Sequence, residues 1–168
     1  MLLEIIHEFD IPLDALELAV ISPNLCSKLG ARLSNMEKLQ QKEHVVQGDR
    51  LERLWSYRAN IRLPEFAKAY VTPEMMAWDE RSVYEIKKHA ADWTIVPHLK
   101  AEWRKYFDAK GTYVLTALDS GRTKRTISGS IDLRVPVLRQ VAEKLIVAEV
   151  KKTFDAEAET LRDLATLV

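Results

Sequence analysis

Between Pro136 and Val168 the chain carries a run of about 30 residues in which apolar side chains recur at three- and four-residue spacing. Val137, Leu138, Val141, Ala142, Leu145, Ile146, Val150, Thr153 and Phe154 form the stripe, and Leu161, Leu164 and Leu167 prolong it less regularly. This spacing predicts one amphipathic helix, roughly 45 Å long at 1.5 Å per residue, started by Pro136. A single helix of that length needs one broad apolar surface to lie on. An antiparallel sheet supplies it.

The preceding residues read as such a sheet. Leu2 to Phe9 alternates, with Leu3, Ile5, His7 and Phe9 on one side. Two short helices follow, the first opened by Pro12 and the second capped by Asn24. Met36 to Val46 is a polar strand, Gln47-Gly48-Asp49 a hairpin turn, and Arg50 to Asn60 returns with Leu51, Arg53, Trp55, Tyr57 and Ala59 on one face. A short helix is expected over Leu63–Tyr70. Met75 to Lys88 reads as a strand with its turn at Ala90-Ala91-Asp92, and Trp93 to Asp108 as an overlong strand bent near Pro97. After Lys110-Gly111, Thr112 to Leu118 leads into the Asp119-Ser120-Gly121 hairpin. Thr123 to Val135 is the cleanest strand: its odd positions read Thr, Arg, Ile, Gly, Ile, Leu, Val and its even positions are polar.

At 168 residues, one domain over 1–168 is expected. Equal numbers of basic and acidic residues, 25 each, remove the blanket attraction on which non-specific nucleic-acid binding rests. No stretch approaches 18 apolar residues, and the opening MLLEIIHEFD lacks the basic start and uninterrupted apolar run of a secretory signal. Cys26 is the only cysteine, so a reducing, cytoplasmic setting is the expectation, with Cys26 as a packing residue. His7, His44, His89 and His98 show no metal spacing, and neither a serine elbow nor a phosphate loop occurs; no catalytic residue, metal or cofactor is assigned.

The order strand, two short helices, six antiparallel strands and one long C-terminal helix resembles the START-like, or helix-grip, superfamily, which includes the polyketide cyclase/aromatase proteins and the birch-pollen-allergen group. The closing segment GTYVLTALDSGRTKRTISGSIDLRVPVLRQVAEKLIVAEVKKTFDAEAETL and the Leu63-Pro64-Glu65-Phe66 segment are similar to an uncharacterised bacterial branch of it. The resemblance implies an α+β helix-grip fold: a curved antiparallel sheet of about seven strands gripping the last helix, with an apolar cavity between them. It also implies a hydrophobic or lipid-like small-molecule ligand, since the superfamily holds lipids, sterols and polyketides. The physical reason is independent of kinship. A helix bridging a strongly curved sheet touches it mainly at the rims, so the middle can stay hollow.

The cavity candidates are Trp55, Tyr57 and Tyr113, which share faces with apolar neighbours, and Ile127, Val141 and Leu145. Arg125 stands on the apolar face of the cleanest strand; it either snorkels to solvent or anchors a ligand anion. Glu149 lies in the helix stripe and either makes a rim salt bridge or enters the cavity. The cluster Arg122, Lys124 and Arg125 offers a transient contact with an anionic membrane surface. The expected function is the binding, and with it the transport, of a hydrophobic small molecule. The alternatives are a cyclase, aromatase or hydratase using the same cavity and a protein-interaction module whose cavity has collapsed. No motif specifies the ligand or the oligomeric state.

Overall fold

Period-two alternation with one apolar face is common to most of the strands. In the computed structural model, which describes residues 1–134 and 139–167, they build one antiparallel sheet. The strands are β1 (Leu2–Phe9), β2 (Met36–Gln47), β3 (Arg50–Ala59), β4 (Ala77–Glu85), β5 (Ala90–Pro97), β6 (Phe107–Asp119) and β7 (Arg122–Leu133). Their spatial order β1-β7-β6-β5-β4-β3-β2 leaves β1 and β2 at the two edges. Register shifts in β2 and β6 interrupt the ladders where a curved sheet needs them. Gly48, at φ +62°, makes the expected tight turn between β2 and β3.

Helices α1 (Leu13–Val20) and α2 (Leu25–Arg32) connect β1 to β2 and bury Leu16, Ala19, Val20, Leu25 and Leu29. Tyr84 on β4 donates to Glu17 of α1 at 2.6 Å, tying this layer to the sheet. Between β5 and β6 lies the single turn α3 (Ala101–Arg104). The long helix, α4 (Arg139–Ala165), packs on α1, α2, β7 and β1. Its C-terminal half, through Ala158, Leu161, Leu164 and Ala165, is the buried one. The stripe from Val141 to Phe154 is only partly buried, and Val141 is 38% exposed. The weight of packing is therefore the reverse of what the stripe suggests, because α1 and α2 fill the space under the last turns. Pro136, Val137 and Leu138, read as the helix start, and Val135, read into the last strand, lie outside the described residues.

Three local expectations change. The turn before β5 is Ile86–His89, closed by His89 in the left-handed region at φ 51°, and Ala90 to Asp92 are already strand. Trp93 to Asp108 is not one bent strand: β5 ends at Pro97, whose ring ends the ladder, and α3 precedes β6. Trp103 and Tyr106 consequently leave the sheet, and Trp103 is 51% exposed. Over Leu63–Tyr70 only Glu65–Ala67 forms a single 3-10 turn.

One close approach shapes the inner face. Trp93, Gly111 and Gly129 stand side by side across β5, β6 and β7. The Trp93 indole lies against both glycines and donates to the Thr112 carbonyl at 3.2 Å. A Cβ on Gly129 would sit 2.6 Å from that ring and 2.5 Å from the Lys110 carbonyl oxygen. The glycines thus let a large aromatic lie flat on the sheet. Gly129→Ala is expected to cost at least about 2 kcal/mol and lower the melting temperature by about 5 °C or more, read by thermal circular dichroism. A variant melting within about 1 °C of the parent would contradict this close fit.

Candidate functional site

Alternation and register together decide which side chains face the helical layer. On β3 they are Leu51, Arg53, Trp55, Tyr57 and Ala59, all buried. Trp78, Glu80, Ser82 and Tyr84 on β4 pair with Tyr57, Trp55, Arg53 and Leu51 and so share that face. The next strands add Trp93 and Ile95, then Tyr113 and Leu115, then Arg125 and Ile127. From above, α4 contributes Val147, Val150 and Phe154, the last meeting Trp93 with ring centroids 6.3 Å apart.

The helix reaches both edges of the sheet. Val147, Lys151 and Asp155 line an open cleft of about 520 Å³ against Leu3, Ile5 and His7 of β1. On the opposite side the Glu149 carboxylate accepts from the Asn35 amide, one residue before β2, and pairs with Lys152 at 3.0 Å. Glu149 is therefore engaged by Lys152 and Asn35. Between these rims, Trp78, Glu80, Ile95, Val147, Val150 and Phe154 keep some accessible surface although they point inward.

Two arginines lie within. Arg125 is fully buried rather than snorkelling to solvent. Its guanidinium meets Glu157 of α4 at 3.2 Å and donates to the Phe154 carbonyl at 2.8 Å, the Tyr113 hydroxyl at 3.3 Å and His7 Nδ1 at 3.0 Å. Burial, assisted by Arg125, holds His7 below its ordinary pKa, so the neutral ring accepts at Nδ1 and donates from Nε2 to Asp155 at 2.8 Å. Arg125 is thus held by the protein through both terminal nitrogens, and its Nε has no partner among the described residues. Arg53 donates to the Val20 carbonyl at 2.8 Å and lies 4.9 Å over the Trp55 ring. With Arg125 inside and Arg122 paired to Glu8 at 2.8 Å, the hairpin does not present its three cations to a membrane surface.

One inward-facing carboxyl, Glu80, was not among the residues that the sequence singled out. Glu80 sits opposite Trp55 and accepts from the Tyr57 hydroxyl at 3.5 Å. Burial, with the charge of Glu157 adding to it, pushes the Glu80 carboxyl up to about 7, against the opposing pull of Arg53 and the Tyr57 hydroxyl. Burial also pushes the Tyr113 phenol up to about 12 and Tyr57 well above its usual value, so both stay protonated. Trp55 Nε1, on the same face, is buried with no hydrogen-bond partner among the described residues. The assembly offers a proton donor and acceptor at neutral pH set among aromatic rings. Among the described residues, no three His, Cys, Asp or Glu side chains gather as a metal-binding group.

Of the sequence candidates, Trp55, Tyr57, Tyr113, Arg125 and Ile127 are brought together on the inner face, while Val141, Leu145 and Glu149 are on the less buried half of the helix. Arg53, Glu80 and Glu157 complete the polar set. The parity of Glu80 with Trp78 and Tyr84 was its available signal; for Glu157 it was the three-residue step from Phe154.

Glu80 makes stability depend on pH. The unfolded chain releases this proton near 4.5 and the folded chain near 7, so the folded state loses stability as pH rises through that window. The urea midpoint of the parent relative to Glu80→Gln is expected to fall between pH 4.5 and 7 and to level off above. Parallel midpoints across that range would contradict the half-buried, desolvated placement of Glu80.

No curated protein matches the sequence. The fold, in contrast, matches solved structures over nearly the whole chain. The protein TTHA0849 from Thermus thermophilus aligns at TM-score 0.63 and 13% identity, covering 99% of this chain and 98% of that one. The Zhui aromatase/cyclase from a Streptomyces species aligns at 0.66 and 13%, with 99% and 93% covered. Norcoclaurine synthase from Thalictrum flavum aligns at 0.67 and 13%, with 99% and 86% covered. At these identities the likeness establishes the START-like helix-grip fold and nothing finer. By sequence, residues 4–164 match DUF2505, described as a protein of unknown function, and the chain belongs to that family.

Proposed function

We propose that this protein binds a hydrophobic small molecule between the inner face of the sheet and α4. The observation that carries the reading is the partial accessibility of Trp78, Glu80, Ile95, Val147, Val150 and Phe154, inward-facing residues of the sheet and of a helix that packs along β1 and β7 and reaches Asn35, before β2, through Glu149. A collapsed interior would bury these side chains as fully as Leu16 or Leu161. Binding would remove apolar ligand surface from water at about 25 cal/mol per Å². Relatives of the same fold support it: one structure of norcoclaurine synthase is described as a complex with dopamine and hydroxybenzaldehyde. Trp55, Tyr57, Tyr113 and Ile127 would line the site. Arg125 would act indirectly, by fixing α4 over it.

The Glu80–Tyr57 pair favours a second reading, proton transfer on the bound molecule. A carboxyl that titrates near neutrality, within reach of a phenol that stays protonated, has the chemistry of a general acid–base group. Such an enzyme would be of cyclase, aromatase or hydratase type.

Native mass spectrometry of the purified 19.3 kDa chain, together with displacement of anilinonaphthalene sulfonate by a panel of apolar compounds, tests the binding reading. A retained small-molecule adduct or a saturable displacement is expected. A bare chain that binds neither the dye nor any panel member would contradict the proposal.

A further inference from the structure

The polar groups on the inner face point to a narrower ligand than a hydrocarbon. Trp55 is 3% exposed, and its Nε1–H finds no acceptor among the described residues. An unpaired buried donor costs as much as a lost hydrogen bond, so a bound molecule gains by supplying an acceptor there. Arg53, stacked 4.9 Å over the Trp55 ring, draws electron density from the indole and strengthens that donor. Directly opposite Trp55 stands Glu80, whose contact with Tyr57 is long at 3.5 Å and leaves both groups free to take a further partner.

The walls constrain shape. Tyr57 and Trp78 stack with centroids 5.2 Å apart and planes 8° from parallel, and Trp93 and Phe154 meet at 54°. Rigid ring faces of this kind match a flat ring better than a flexible chain. The charges constrain the head group. Arg125 is paired with Glu157, Arg53 donates to the Val20 carbonyl, and an ionised ligand carboxylate would be repelled by Glu80 and Glu157.

Resting on the binding reading above, we infer that the ligand is a ring-bearing molecule with a neutral hydroxyl or carbonyl oxygen, held by Trp55 Nε1–H and the Glu80–Tyr57 pair. Hydrocarbons and fatty acids fit less well. The oxygen accepts from the indole, and a hydroxyl proton is donated to Glu80.

Equilibrium dialysis with 2-naphthol, 2-methylnaphthalene and decanoate, which share a similar apolar size, tests this on the parent and on Trp55→Phe. The parent is expected to bind 2-naphthol at least about tenfold more tightly than either competitor, and Trp55→Phe to reduce that preference at least about threefold while keeping its 2-methylnaphthalene affinity. If Trp55→Phe does not melt cooperatively, Tyr57→Phe takes its place with the same expectation. Equal or tighter binding of 2-methylnaphthalene or decanoate by the parent would overturn the inference and leave the binding reading standing. A preference unchanged in the folded variant would equally overturn it. Binding of none of the three would overturn both.

Discussion

A charge pair buried inside the protein joins the last strand to the last helix. Arg125 on β7 and Glu157 on α4 meet at 3.2 Å with almost no access to water, and the same guanidinium holds the Phe154 carbonyl, Tyr113 and His7. Such a pair is a weak source of net stability, because desolvating two ions offsets most of their attraction. Losing either member alone is another matter: it strands the other charge in the interior, at a cost of about 3–5 kcal/mol. The pair therefore acts on geometry. It fixes the rotation of α4 about its axis and its height above β7, and with them the positions of Val147, Val150 and Phe154.

The two halves of α4 do different work for that reason. Its C-terminal turns sit on α1 and α2 as ordinary core, while the turns up to Asp155 are held by Glu149 at Asn35, before β2, and by Val147, Lys151 and Asp155 along β1. Gly111 and Gly129 contribute from below by letting the Trp93 indole lie flat, so the largest side chain of that region takes little height from the space above. A helix held at its rims over flattened aromatics leaves Trp78, Ile95, Val147, Val150 and Phe154 partly accessible. Beside Trp55 stands Glu80, whose carboxyl burial pushes up to about 7.

Much of the fold was legible in the sequence because it rests on period and punctuation. The alternation from Thr123 to Leu133 placed Arg125 inward, the glycine turns set the hairpins, and the closing stripe demanded a broad partner surface. Where the chain departs from period, legibility fails. Pro97 ends a strand that apolar content alone would continue, and a left-handed His89 moves a turn ahead of Ala90. The candidate site was half legible for a related reason. Trp55, Tyr57 and Tyr113 follow from alternation, but Glu80 lies on a strand with charges on both faces, and its inward direction comes from pairing with Trp55. The burial of Arg125 depended on Glu157, far along the sequence and brought alongside only by the folded helix. Long-range pairing of charge leaves no local pattern.

On this account small molecules enter beneath α4 and meet the polar inner face. Indole resonances in a 1H–15N correlation spectrum report on that entry directly, because the four tryptophans sample different surroundings. Titration with 2-naphthol is predicted to shift the Trp55 Nε1–H resonance strongly, with Trp78 and Trp93 following, and to leave exposed Trp103 in place. A shift confined to Trp103, or saturation with no change at Trp55, would contradict the account.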